Sequence, residues 1–380
     1  MNIHILVLVI AIILFGLLAF KQMSALILAP LVTSFVIICS GMPILDSLKN
    51  LFMPAAAEYV TSYFLVFFVG ALFGAVYQYT GAAESIARAI ASLCHGKFVA
   101  PIIMIITGLL TFGGVSGFVV FFVIYPIALN LFKEANLTRR LIPAAISAGC
   151  WTWSMSGPGS PSVQNVIAMD SLGTPSTAAF VPSLLTAIIV ILVLFNNPWH
   201  PFPVETSVFA GVALATILMF KRIDGMTEWI NIFNKGAADS GVSILNTAIV
   251  VGFGGVVAKT QGFTDLVAGL KHLSMPPLIF VMVTVAVCAG ACGSASGGMG
   301  VAFKALKDTY LKLGASLPDI HRISTIAAGT LDTLPHQGAQ ITLLGICKLT
   351  HKEAYWDIAV TQIFIPLIDC LVFIALTSIF

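Results

Sequence analysis

Long apolar runs alternate along this chain with short segments that carry its few charges. Several runs are long enough to cross a bilayer as a single helix: 3–20, 23–41, 59–79, 176–196, 204–220, 241–259 and 356–379. Amphipathic segments lie between them and predict helices along the membrane surface: 44–57, 82–95, 226–238 and 262–273. The first run lacks a basic start and a small-residue cleavage site, so we interpret it as a transmembrane helix and not a signal peptide.

Two further stretches predict re-entrant hairpins. The uncharged run Phe98–Phe132 is too long for one span and is interrupted at Gly113–Gly117. Each of its arms is short for a full span, and cations flank both outer ends, which indicates that both ends are cytoplasmic. We therefore predict a hairpin with its tip at Ser116. A second hairpin is predicted for 276–313, with its tip at Gly293–Gly297.

Two more stretches predict discontinuous helices. Residues 141–169 carry no charge, but two prolines and two glycines between Ser154 and Pro161 cannot stay helical. Residues 319–347 are opened at Thr330–Gly338, where a proline and a glycine interrupt the helix. Backbone opened in lipid must be buried in protein or line a wet cavity, so both breaks are candidate binding regions.

The order of these features repeats at an offset of 180 residues. The matching positions are Gly113 and Gly293, Ser116 and Ser296, Gly117 and Gly297, Leu137 and Leu317, Ala148 and Ala328, and Gly149 and Gly329. Two repeats, each with a glycine-tipped hairpin and a broken helix, are typical of secondary transporters. We predict an all-α polytopic membrane protein with repeats at 1–180 and 181–380 and about 9–10 spanning helices plus two hairpins. In each repeat, scaffold helices (1–79 and 181–259) precede a hairpin and broken helix (98–172 and 276–347), and 356–379 forms the last helix.

Composition agrees with this fold class. The chain is 58% hydrophobic and 9% charged, which excludes a soluble globular domain. Its net charge of +2 and the lack of a basic patch give no reason to expect a nucleic-acid partner. The seven cysteines are scattered, so we predict neither disulfides nor a metal site, and no cofactor.

Three segments carry a family resemblance: GGVSGFVVFFVIYPIALNLFKEANLTRRLIP (113–143), SMSGPGSPSVQN (154–165) and LDTLPHQGAQITLLGICKLTHKEAY (331–355). They resemble the gluconate permease family of the ion transporter superfamily, and within it the branch for 3-hydroxybutyrate and related short hydroxy or keto acids. The resemblance covers most of the chain. It implies inverted repeats, elevator-like motion of the hairpin domain, proton-coupled uptake of an organic anion across the bacterial cytoplasmic membrane, and a homodimer.

The chain departs from that family in three ways. Gln337 stands where Asn is expected, and Gln340 stands where an aliphatic residue is expected. The chain is also short, and the missing part falls near residues 173–181. The first repeat then has an even number of crossings, whereas inverted repeats need an odd number. Either one helix has been lost or 176–196 serves two roles.

The breaks supply the groups that a small hydroxy acid needs. Free N–H groups at half-helix N-termini attract a carboxylate without a buried cation. Hydroxyl and amide groups can hold both the carboxylate and the hydroxyl of the acid. We predict that these substrate-binding groups converge near the bilayer midplane: Ser116, Ser156, Ser160, Gln164, Asn165, Ser296, Thr330, Thr333 and Gln337.

Asp332 and His336 are the predicted proton-binding groups. Asp332 is the only formal charge between Ile323 and Cys347, and an intramembrane carboxylate indicates a functional site. His336 titrates near neutrality in water, and on a regular helix it would face Asp332. The structural alternative is that Asp332 caps the half-helix that follows the break.

Other residues and functions offer alternatives to this interpretation. We expect Trp151 to pack in the protein or to anchor at the membrane interface, and His351 to lie in a solvated loop. We expect His321 and Arg322 to cap a helix end, and Asp369 is a second buried acid. A sodium–proton antiporter would use Asp332 without an organic substrate. An intramembrane serine protease would use Ser116 of a GxSG motif, which chance often produces. The shortened chain could also be a relic that no longer transports.

Overall fold

The structure of the protein is a computed structural model. It describes residues 3–82, 85, 98–112, 117–160, 162–181, 212–214, 216–270, 272 and 274–377. These residues form helices joined by short connections, and no strand occurs among them. The predicted all-α polytopic membrane fold is confirmed.

The longest helices satisfy the length that a bilayer requires. Within the described ranges, four helices are long and apolar enough to cross a membrane: Ile3–Phe20, Gly117–Glu134, Met226–Val257 and His351–Thr377. A bent pair, Ile44–Leu65 and Phe67–Tyr79, adds a fifth if it counts as one span. The predicted total of nine to ten spans and the two-repeat division stay predictions, because the helices expected at 82–95, 176–196 and 204–220 lie largely outside the described residues.

Two segments expected at the membrane surface are instead parts of longer helices. α1 (Ile3–Phe20) and α2 (Ala25–Cys39) are followed by α3 (Ile44–Ser47), which runs through a π-helical turn, Leu48–Phe52, into α4 (Met53–Tyr79). The surface segment predicted at 44–57 is therefore wrong as a separate element. Its polar residues pair on the exposed face of the helix, where the Asn50 amide donates to Asp46 Oδ1 at 2.6 Å.

The same correction applies to the segments predicted at 226–238 and 241–259. They form one helix, α10 (Met226–Val257). Its charged residues Lys235 and Asp239 pair at 2.8 Å across one exposed turn, so they do not interrupt it.

The hairpins and the breaks separate the remaining helices from one another. The first half contains α5 (Val99–Phe112), α6 (Gly117–Glu134), α7 (Ile142–Ser147), a π-helical turn (Ala148–Trp153), α8 (Ser154–Ser156) and α9 (Val163–Leu172). The second half contains α11 (Gln261–Leu270), α12 (Pro277–Cys292), α13 (Ala295–Lys312), α14 (Leu317–Leu331), α15 (Gly338–Ile346), α16 (His351–Ala359), a further π-helical turn (Val360–Phe364) and α17 (Ile365–Thr377). Short 3-10 turns lie at Arg139–Leu141 and Phe220–Arg222. The interruptions between α8 and α9, between α12 and α13, and between α14 and α15 fall where glycine and proline predicted them.

Helix α10 is central to the packing. It lies along α4 and also contacts α2, α12 and α15. Small residues allow a close approach to α12, since a Cβ added at Gly254 would lie 2.5 Å from the carbonyl oxygen of Cys292. A glycine at this position therefore fixes the distance between the two helices.

Substitution of Gly254 by alanine is expected to destabilise the protein. The added methyl group meets backbone and not a flexible side chain, so the helices must separate, at a cost of about 1–3 kcal/mol. The melting temperature of the purified protein in detergent should fall by several degrees. Gly241→Ala is the matched control in the same helix, because no heavy atom lies within 4 Å of its added Cβ. Equal melting temperatures for the two variants would contradict this packing.

Candidate functional site

A cavity of about 400 Å³ lies between the two breaks, the second hairpin and the helices α4 and α10. This volume is in the range of small-molecule sites. Its polar lining comes from separate parts of the chain: Tyr59, Ser62, Tyr63, Thr111, Ser154, Ser162, Gln164, Thr247, Ser294, Ser296, Asp332, Thr333, Gln337 and Gln362. Phe118, Trp151, Met155 and Val251 supply apolar surface.

Residues at the start of four helices line this one cavity. Gly117 begins α6, Ser162 precedes α9, Ser294 precedes α13, and Gln337 precedes α15. The Ser162 and Ser294 hydroxyls accept from N–H groups of their own helices, those of Asn165 and Gly297, whereas Gln337 makes no such cap. Helix N-termini carry partial positive charge, so the cavity favours an anion.

Asp332 is the one charged side chain among the described residues that line the cavity. It is 2% exposed. Its Oδ2 accepts from Gln337 Nε2 at 2.6 Å, and its Oδ1 accepts from Thr333 Oγ1 at 3.2 Å. The alternative in which Asp332 caps α15 is wrong, because Asp332 ends α14 and Gln337 is the residue that precedes α15.

The predicted substrate-binding residues divide into two groups. Gln164, Ser296, Thr333 and Gln337 line the cavity beside Asp332. The others that the structure describes do not line it and bond to other parts of the protein: Ser156 donates to Asp369 Oδ2 at 2.5 Å, Ser160 accepts from the Ser162 N–H at 3.3 Å, Asn165 contacts His321 and Arg322, and Thr330 donates to the Ala327 carbonyl at 2.6 Å. Ser116 lies outside the described residues.

His336 does not face Asp332. Its Nε2 lies 2.9 Å from the Gly290 carbonyl oxygen, and its ring packs against Phe15 and Phe253 with centroids 5.7 and 6.1 Å away. Helix α14 has already ended at Leu331, so the four-residue spacing of a regular helix does not apply. His336 is fully buried outside the cavity lining.

Arg322 is a central residue that sequence reasoning placed wrongly. It was expected to cap a helix end, but it is 0% exposed. Its guanidinium donates to the first break and to the segment that follows it: the carbonyls of Met155, Gly157, Ser176 and Ala178, and Asn165 Oδ1. The Arg322 side chain therefore donates hydrogen bonds to backbone carbonyl groups that the broken helix leaves unpaired.

His321 extends the same network. Its Nδ1 lies 2.6 Å from Thr174 Oγ1, and its Nε2 lies 3.0 Å from Asn165 Oδ1. Because Asn165 Oδ1 is an acceptor, Nε2 carries a proton and donates to it, while Nδ1 pairs with the threonine hydroxyl. Its expected helix-capping role is wrong for the same reason as that of Arg322.

Three further residues lie in or beside this region of the structure. Trp151 packs against Phe121 with ring centroids 5.0 Å apart, as its packing alternative predicted, and it also lines the cavity. His351 is 8% exposed and bonds to the Pro335 carbonyl oxygen at 3.0 Å, so it is not a solvated loop residue. Tyr59, which sequence analysis passed over, lines the cavity with a buried hydroxyl that has no hydrogen-bond partner among the residues that the structure describes.

Comparison with known proteins identifies the class of the chain. No family model matches it. The "Uncharacterized transporter YxjC" of Bacillus subtilis (strain 168) is 31% identical over 438 residues, which cover 91% of this chain and 93% of that protein. This chain belongs to the same transporter family. The aligned stretch is longer than the 380 residues of this chain, so the relative has residues inside the aligned region that this chain lacks.

Loss of the Arg322 guanidinium is expected to destabilise the protein severely. Arg322→Met leaves carbonyl groups of the first break buried without donors, and breaking such a buried charged network costs about 3–5 kcal/mol. Arg322→Lys keeps the charge but not the forked donors, so its stability should be intermediate.

Melting temperature and the monodisperse fraction after detergent extraction measure this effect. Arg222→Met, at an exposed position, is the control. An Arg322→Met protein as stable as wild type would show that the guanidinium does not hold the break together.

Proposed function

We propose that this transporter carries a small organic anion together with a proton across the bacterial cytoplasmic membrane. The substrate is a hydroxy or keto carboxylate of the gluconate or 3-hydroxybutyrate type. The main observation that supports this proposal is that four helix N-termini and one acidic side chain line a single cavity. The resemblance to the gluconate permease family and the transporter relative support the same function.

The helix N-termini supply the attraction for the carboxylate of the substrate. No Lys or Arg is among the described lining residues, so backbone N–H groups and helix dipoles are the sources of positive potential. Hydroxyls and amides of Ser296, Thr333 and Gln164 surround the same space. This arrangement binds an anion while leaving no cation buried when the substrate departs.

Asp332 provides the coupling to protons. An ionised Asp332 and a substrate carboxylate in one cavity of low dielectric repel each other. Proton binding at Asp332 removes that repulsion, so proton and anion bind together. When Oδ1 carries a proton, it can donate a hydrogen bond to the Thr333 hydroxyl oxygen, while Oδ2 still accepts from the Gln337 amide. His336 is not included in this proposal, because it lies outside the cavity lining.

The two alternatives have less support. A sodium–proton antiporter would bind its cation at Asp332, but four helix N-termini disfavour a cation in the same cavity. A serine protease would need Ser116, which lies outside the described residues, and the relative is a transporter. No group of three or more His, Cys, Asp or Glu that could hold a metal occurs in the described part of the chain.

Uptake of labelled 3-hydroxybutyrate into proteoliposomes is expected to rise several-fold when an inward proton gradient is imposed. Asp332→Asn mimics the protonated acid, so this variant should exchange substrate but lose gradient-driven accumulation. Asp239→Asn, at an exposed surface ion pair, is the control and should behave as wild type. Accumulation by Asp332→Asn with unchanged pH dependence would contradict proton binding at Asp332, and sodium–proton exchange without acid uptake would support the antiporter.

We expect the Tyr59 hydroxyl to bind the ligand and not to stabilise the fold. Removing a buried hydroxyl that has no partner should leave stability unchanged or raise it, so Tyr59→Phe should keep its melting temperature while its KM for uptake rises about 3- to 10-fold. Tyr310→Phe is the matched control, because its hydroxyl bonds to Thr284 at 2.8 Å away from the cavity. That variant should lose about 1 kcal/mol of stability with KM unchanged. A destabilised Tyr59→Phe with unaltered KM would contradict the assignment.

A further inference from the structure

The amide of Gln337 is held in one orientation at the edge of the cavity. Its Nε2 donates to Asp332 Oδ2 at 2.6 Å. A carboxylate oxygen is an acceptor, so the amide must present its NH₂ group to Asp332 and not its carbonyl oxygen. The orientation of the amide therefore follows from its charged neighbour.

The carbonyl oxygen of the same amide has no hydrogen-bond partner in the described part of the chain. Gln337 is 7% exposed and lines the cavity, and its Oε1 is buried there without a donor. A buried acceptor without a donor is costly, and in native proteins such groups usually have a functional reason. The missing partner is a hydrogen-bond donor.

We propose that Gln337 Oε1 accepts a hydrogen bond from the hydroxyl group of the substrate, so that the protein selects hydroxy acids over keto acids of the same length. This inference rests on the proposed function and names the substrate class of that site. A hydroxyl group donates to Oε1, whereas a keto group offers only another acceptor. Sites built to pair with a substrate hydroxyl reject analogues that lack it, because the site is left unpaired.

The neighbouring groups assign the two ends of the substrate to different parts of the cavity. The hydroxyl lies at Gln337, which precedes α15, and the carboxylate lies toward the other helix N-termini. Gln337 keeps its bond to Asp332 Oδ2 when a proton is bound at Oδ1, so hydroxyl recognition and proton binding are compatible. Discrimination between hydroxy and keto acids is thus separable from coupling.

Calorimetric binding of three acids to the purified protein at one pH tests this inference. The probes are 3-hydroxybutyrate, its keto analogue acetoacetate, and butyrate, which has neither group. Wild type should bind 3-hydroxybutyrate about tenfold more tightly than either analogue, the effect of one buried hydrogen bond. Gln337→Met has a side chain of similar size without polar atoms, and it should bring the ratio of the three affinities close to one.

Gln340→Met is the matched control. Gln340 lies one turn further along α15, and both polar atoms of its amide are buried without partners, but it does not line the cavity. This variant should keep the wild-type ratio.

Each outcome decides the inference. Equal binding of the three acids by wild type, or an unchanged preference in Gln337→Met, would overturn it while leaving anion transport standing. Failure of folded wild type to bind any of the three acids would contradict the proposed function and this inference together. Using ratios at one pH separates hydroxyl recognition from any change in the proton affinity of Asp332.

Discussion

Helices that are opened inside a membrane must find partners for their backbone within the protein, and this requirement shapes the whole structure. The first break is satisfied from the far half of the chain by Arg322, whose guanidinium pairs with carbonyls on both sides of the gap. The second break is held by Asp332, which accepts from the Thr333 hydroxyl and the Gln337 amide. Backbone carbonyl groups at the breaks are thus paired within the protein, whereas several helix N-termini lie at the cavity.

This asymmetry is the physical basis on which we propose an anion as the ligand of the cavity. A buried cation placed in the cavity itself would hold a carboxylate too firmly and would be left unpaired when the substrate leaves. Here the buried cation, Arg322, pairs with the first break. The described lining of the cavity contains helix N-termini and one acidic side chain, Asp332. Under the proposed function, the affinity of this site for an anion depends on whether Asp332 carries a proton.

The fold class and the positions of the breaks could be predicted from the sequence. Uncharged runs of bilayer length indicate where helices cross the membrane, and glycines and prolines indicate where the helices are interrupted. Asp332 was found for a simple physical reason, since a lone carboxylate in an apolar run is expensive without a function. Gln337, Gln164 and Thr333 were found because they flank the same breaks.

Partners that are distant in sequence could not be predicted in this way. Arg322 stands close to a helix start and therefore resembled a cap, but its partners lie 144 to 167 residues away. His336 was misplaced because its four-residue spacing from Asp332 holds only on an unbroken helix. Tyr59 lies in α4, where no cluster of glycine and proline predicted a break, so nothing in its local sequence indicated a cavity. A buried cation within an apolar helix was the one available indication of the Arg322 network.

Proton uptake on substrate binding is the most direct test of the central claim that Asp332 and the anion share one cavity. Purified protein in weakly buffered detergent solution, with a pH indicator, is mixed with 3-hydroxybutyrate near neutral pH. We expect wild type to take up close to one proton for each substrate bound, and Asp332→Asn to bind substrate without proton uptake. Substrate binding by wild type with no proton uptake at any pH near neutrality would contradict the coupling of proton and anion at Asp332.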